Sequence, residues 1–168
     1  MTRPRAALAC LLAAAVPLAS GCGSGEIDDP ALEETIQDIR QATEKYRDPR
    51  VAQRDGYRPT PRCSESPDEG GIGITFVNRA LSRDNEVDLL RPEQLLYEPG
   101  RGGERTLVGV GYFVPSTGQR PPETPIGHLD GPIPERFEGQ GEHFALQAWV
   151  HRENPNGVFD TWNPDVSC

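Results

Sequence analysis

The chain has 168 residues, which suggests a single domain, and carries 17 Lys+Arg against 26 Asp+Glu for a formal net charge of -9. That acidity argues against a nucleic-acid surface, whose phosphates need a basic face, and against a polybasic patch that would add to membrane binding. With 18 glycines, 17 prolines and only 35% hydrophobic residues, the composition predicts one small core with long, irregular loops.

Arg3 and Arg5 make a short positive region, followed by an apolar run from Ala6 to Ala19 that only Pro17 interrupts. The run falls short of the about 20 apolar residues that a bilayer span needs. Small residues then lead into a cysteine, Ala19-Ser20-Gly21-Cys22. This segment resembles the lipobox of bacterial lipoproteins. The resemblance implies that the Cys22 thiol receives a diacylglyceryl group, that a peptidase cuts before it, and that Cys22 becomes the acylated N-terminus. Leu18 sits one place earlier than the usual leucine of that motif, and Ala19 fills the leucine's place. The expected organisation is a signal peptide over residues 1–21, a lipidated Cys22 with a flexible tether over 22–28, and one domain over 29–168. The alternative is an ordinary secretory signal cleaved near Gly21. Two or more acyl chains on Cys22, palmitate among them, suffice for stable anchoring. The expected location is therefore the outer face of the cell membrane, with the lipid as the membrane partner.

Asp29-Pro30 opens a predicted helix, with aspartate as N-cap, proline in the first turn, and Glu33 and Glu34 facing the helix dipole. Leu32, Ile36, Ile39, Thr43 and Tyr46 recur at spacings of four and three and form one apolar stripe. A second pair, Asp48-Pro49, ends this helix and caps a shorter one that stops at Gly56.

From Tyr57 onward the period changes. "RPTPRCSESPDEGG" reads as a loop rich in Pro, Ser and Gly, and "IGITFVN" as a strand with Ile72, Ile74 and Phe76 on one face. A hairpin follows, with strands Leu95 to Glu98 and Thr106 to Val114 around a loop from Gly100 to Glu104. Pro115 to Gly141 is a proline-rich excursion. "EHFALQAWVHR" is the last strong strand, its Phe144, Leu146, Ala148 and Val150 alternating toward a core. Helices first and antiparallel strands later predict an α+β fold, an N-terminal helical segment packed on a small antiparallel sheet with long Pro/Gly-rich loops.

No local motif names a reaction: there is no G-x-S-x-G, H-E-x-x-H, C-x-x-C or phosphate loop. No catalytic residue, cofactor or metal is assigned. His143 and His151 read as sharing one face of the last strand, but eight strand residues separate them by about 27 Å, too far to share an ion. A surface or groove position is the default for His143. The acidic run Asp84 to Asp88 lacks the glycine and glutamate that a calcium loop needs, since Leu89 and Leu95 stand there. Glu93, Glu98 and Glu142 offer carboxylates that only folding can pair. The face of the last strand that carries His143, Gln147 and Trp149 is a candidate ligand or partner surface. The competing reading of Trp149 is a packed residue covered by the proline-rich excursion.

From Ala42 to Cys168 the chain also resembles a group of secreted or lipid-anchored bacterial proteins of no assigned activity. The resemblance rests on "ATEKYRDPRVAQRDGY", "RPEQLLYEP", "LVGVGYFVP" and "NPNGVFDTWNPDVSC". It implies that other members carry histidine or acidic residues where this chain has Thr75, Ala145 and Gln147, so that a His/carboxylate metal site of the group would be degenerate here. The candidate ligand-binding face is accordingly Thr75, His143, Gln147 and Trp149. Two functions follow. The first is a lipid-anchored extracytoplasmic domain that binds an envelope partner or small ligand without catalysis. The alternative is an enzyme or metal-binding protein built on His143, Glu142 and Thr75.

The terminal cysteine completes the reading. Cys10 leaves with the signal peptide and Cys22 is used for lipid, which leaves Cys63 and Cys168 in a domain exported to a disulfide-permissive compartment. A Cys63–Cys168 bond is predicted.

Overall fold

Asp29 starts the first helix by accepting a hydrogen bond from the Ala31 N–H at 2.9 Å, as its N-cap position predicts. The computed structural model describes residues 29–83, 85–134 and 141–168, so the expected signal peptide, Cys22 and the expected tether lie outside the described residues. Helix α1 (Pro30–Thr43) runs into a 3-10 turn, Glu44–Arg47. Ile36, Ile39, Thr43 and Tyr46 of the predicted stripe are buried, and Leu32 packs against the same cluster. Asp48 repeats the capping device for α2 (Pro49–Arg54), accepting from the Arg50 N–H at 2.9 Å.

The helices lie on one face of a six-stranded antiparallel sheet, and the fold is α+β. Its strands are β1 (Arg58–Ser66), β2 (Gly70–Val77), β3 (Gln94–Pro99), β4 (Arg105–Pro115), β7 (Asp130–Ile133) and β8 (His143–Ala148). They are ordered β1-β2-β3-β4-β8-β7. Two short strands, β5 (Glu123–Thr124) and β6 (Gly127–His128), pair separately. The β3–β4 hairpin lies where the sequence predicts it. So does the alternation of β8, which sends Phe144, Leu146, Ala148 and Val150 into the helix-side core. Buried tyrosine hydroxyls in this core find backbone acceptors: Tyr97 donates to Tyr46 O at 2.6 Å and Tyr57 to Pro92 O at 2.7 Å. Burial pushes both phenols well above their ordinary pKa.

Two local expectations are corrected, and the proline-rich excursion finds its place against the sheet. The segment expected as a loop is largely strand β1, an edge strand whose register slips between Pro59 and Cys63 and again between Ser64 and Glu65. Its prolines are tolerated because an edge strand has only one neighbour to bond. The proline-rich excursion supplies β7, which closes the opposite edge by pairing with β8. Finally, Ile72 does not share a face with Ile74 and Phe76. It joins a second cluster with Leu96, Val108, Trp149 and Val166 on the far side of the sheet. Gly73 between them has φ +83°, and a Cβ there would come within 2.4 Å of Tyr97 O. This left-handed residue flips the face, which only glycine does at little cost.

The C-terminal tail covers that second face. Cys168 is disulfide-bonded to Cys63 of β1, as predicted. Asn163 and Gly71 exchange both backbone hydrogen bonds, at 3.0 and 3.1 Å. Glu98 accepts from Arg152 at 2.7 Å and from the Ser167 N–H at 3.2 Å, while Arg152 also donates to Asp165 O. Among the described residues no helix is long and apolar enough to cross a membrane.

Candidate functional site

Beside the tail, the second face turns polar. Register places Gln94 of β3 opposite Gly111 of β4, and Gly111 opposite Gln147 of β8, so two glutamines flank a glycine in one cross-strand row. A Cβ at Gly111 would lie 3.0 Å from Gln94 Oε1. The Gln94 side chain takes that space, and a hollow lies beside it. Thr75 of β2 pairs with Leu96 and points to the same side.

The hollow is a cavity of about 40 Å3, lined by Thr75, Gln94, Gln147 and His143 with apolar walls from Ile72 and Ala145. Ser64 of β1, Asp130 and Ile133 of β7, and Thr161 of the tail complete it. Thr75 is 4% exposed and Gln94 6% exposed, yet among the described residues neither side chain has a hydrogen-bond partner, nor does that of Gln147. None of their polar atoms is among the fully buried, unsatisfied ones, so these groups open into the cavity, where water or a ligand can meet them. Its volume suits one or two water-sized groups, each with a liquid share of about 30 Å3.

His143 is buried at 3% exposure, which corrects the expectation of a surface or groove residue. Its ring stacks on Phe113 at 4.6 Å between centroids. Its Nδ1 lies 3.0 Å from Gly141 O. A carbonyl only accepts, so Nδ1 carries the hydrogen.

Three of the four residues expected at a binding face, Thr75, His143 and Gln147, therefore line one cavity. Trp149 shares their face but not the cavity. It packs with Ile72, Leu96, Val108 and Val166, donates its indole N–H to Asp160 O at 2.7 Å, and is covered by the tail. Sequence reasoning missed Gln94, placed one residue before the expected strand, and the residues of β1, β7 and the tail. The period-2 pattern of "QLLY" was the one signal that pointed to Gln94, since it sets Gln94 and Leu96 on a common face.

The carboxylates offered by the sequence do not pair. Glu93 is buried and accepts from the Phe113 N–H, Glu98 holds the tail, and exposed Glu142 accepts from the Ser116 hydroxyl at 2.8 Å. Of the acidic run, Asp84 lies outside the described residues, and Asp88 caps a turn by accepting from the Leu90 N–H. Among the described residues no group of three His, Cys, Asp or Glu side chains is close enough to hold a metal ion.

His151 leaves the strand instead of continuing it. β8 ends at Ala148, and the His151 ring reaches the end of α1, where its Nε2 is 2.8 Å from Thr43 Oγ1. Thr43 gives its own hydrogen to Ile39 O, so it accepts from Nε2–H and leaves His151 Nδ1 bare. Burial, with Arg47 nearby, lowers the His151 pKa from 6.5 to about 4.

Comparison with protein-family models, curated proteins and solved structures finds no match for this chain.

Proposed function

We propose that this protein is a lipid-anchored domain held outside the cytoplasmic membrane by Cys22, and that it binds a small ligand through the cavity on the second sheet face without catalysing a reaction. The observation that carries the binding reading is the convergence on one cavity of three polar side chains without a hydrogen-bond partner among the described residues, Thr75, Gln94 and Gln147. Amides and hydroxyls orient a ligand through hydrogen bonds and are weak acids and bases, which favours binding over proton transfer. Glu142, the carboxylate that the catalytic alternative would pair with His143, is turned away to Ser116.

Acyl labelling of the full chain tests the anchor. Incorporation should occur in the wild type and vanish in Cys22→Ala; unchanged labelling in that variant overturns it. Metal analysis after purification without chelator tests the non-catalytic reading. Stoichiometric zinc or copper would replace it with a metal-binding function.

A further inference from the structure

The chemistry of the cavity lining narrows what the site can hold, given the reading above that this cavity binds a ligand. No lysine or arginine lines it, so an anion would find no permanent counter-charge. Its one carboxylate, Asp130, is 66% exposed at the mouth and lies 4.0 Å from His128 Nε2, poorly placed to hold a cation. Thr75, Gln94 and Gln147 are neutral and each offers both a donor and an acceptor. A hydroxyl has the same dual character and satisfies such a set, whereas a carboxylate offers only acceptors and an ammonium only donors. At about 40 Å3 the hollow encloses a hydroxyl or a hydroxymethyl group and no ring. Ile72, Ile133 and Ala145 supply apolar contact for the carbon that bears it.

We propose that this cavity takes the hydroxyl or hydroxymethyl end of a neutral polyhydroxy compound, a sugar or polyol, with the rest of the ligand lying outside the mouth at β7 and the tail. Gln94 and Gln147 both line the cavity and each offers the hydroxyl a donor and an acceptor. Such an end group is presented both by free sugars and by polysaccharides, and the two sources are separable by experiment.

The full-length chain, isotope-labelled and held in a detergent without sugar headgroups, is titrated with glycerol, glucose and dextran while the side-chain amide signals of Gln94 and Gln147 are followed by NMR. Inorganic phosphate and ammonium are titrated in parallel. Saturable shifts with the hydroxyl compounds support the proposal, and tighter binding of glucose or of dextran identifies the free or polymeric source. Gly111→Ala, whose Cβ would push the Gln94 amide out of place, and Gln147→Leu should each weaken binding about five- to tenfold, as loss of one hydrogen bond does. Either variant suffices should the other fold poorly. Saturation by phosphate or ammonium alone overturns the neutral-hydroxyl class while leaving the cavity a binding site. No saturable shift with any probe overturns both this inference and the binding reading.

Discussion

Acidification should destabilise this protein through His151. The His151 side chain is fully buried, its Nε2–H is committed to Thr43, and its Nδ1 has no hydrogen-bond partner. A proton arriving at Nδ1 would place a charge beside Arg47 and Arg40, with only Glu44, 3.7 Å away, to offset it. The folded pKa is therefore lowered from 6.5 to about 4. The unfolded chain takes up the proton first, so stability is full above about pH 6.5 and declines as pH falls. The loss levels off below about pH 4 at about 3 kcal/mol, from about 1.4 kcal/mol per pH unit. Against a typical total of about 5–15 kcal/mol this is a large share. Asp48 and Asp55, whose pKa values are lowered by hydrogen bonds from Arg50 and Lys45, titrate below 3.8 and are exposed pairs of little net worth. The test is urea unfolding from about pH 7 to about pH 4 of the wild type and of His151→Gln, which keeps a donor for Thr43 but does not titrate. The wild type should lose stability more steeply by about 3 kcal/mol over that range. Parallel curves, or a ring titration near 6.5 in the folded protein, would refute the reasoning.

Reduction of the Cys63–Cys168 bond, which spans 105 residues, should cost up to about 4.7 kcal/mol in the chain-entropy model, read as a lower urea midpoint with reductant. An unchanged midpoint counts against any stabilising role for it. Gly73→Ala should cost at least about 1–3 kcal/mol, because the residue must adopt φ +83° with its Cβ against Tyr97 O; a wild-type melting temperature would show that the face change does not need glycine. His143→Ala, which removes a buried ring stacked on Phe113, should cost about 2 kcal/mol in denaturant, and a change within about 0.5 kcal/mol would return His143 to the class of surface residues.

The helices were legible because their signals are local. Asp29-Pro30 and Asp48-Pro49 each place a cap and a helix-compatible proline side by side, and the spacing of Ile36, Ile39, Thr43 and Tyr46 reports a buried face without reference to any partner. The last strand and the hairpin were legible for the same reason, since alternation is a property of the strand itself. Strand β1 was not. Its prolines and its mostly exposed, non-alternating residues look like a loop until β2 offers the hydrogen bonds that make it a strand. Ile72 was assigned to the wrong face because strict alternation cannot anticipate a left-handed Gly73. The site shows the same division. Thr75, His143 and Gln147 were readable as one polar face, while Gln94, Asp130 and Thr161 reach the cavity only through strand order and the return of the tail.

That return accounts for the cavity. The helix-side core is closed by elements that precede the sheet, but the far face has no helix of its own and relies on the tail after His151. Trp149 and Asp160, Gly71 and Asn163, Glu98 and Ser167, and finally Cys63 and Cys168 tie it down in succession. These contacts draw Val166 over Ile72, Leu96 and Val108, where the face is apolar. At the other end of the same face stand Gln94, Gln147 and Thr75, which an apolar cover would leave unsatisfied. There the tail contributes only Thr161 among the cavity's lining residues, and the cavity stays open. An all-apolar far face would cost less to bury, so the polar half of this sheet is a feature that stability alone does not explain and that the proposed ligand binding would.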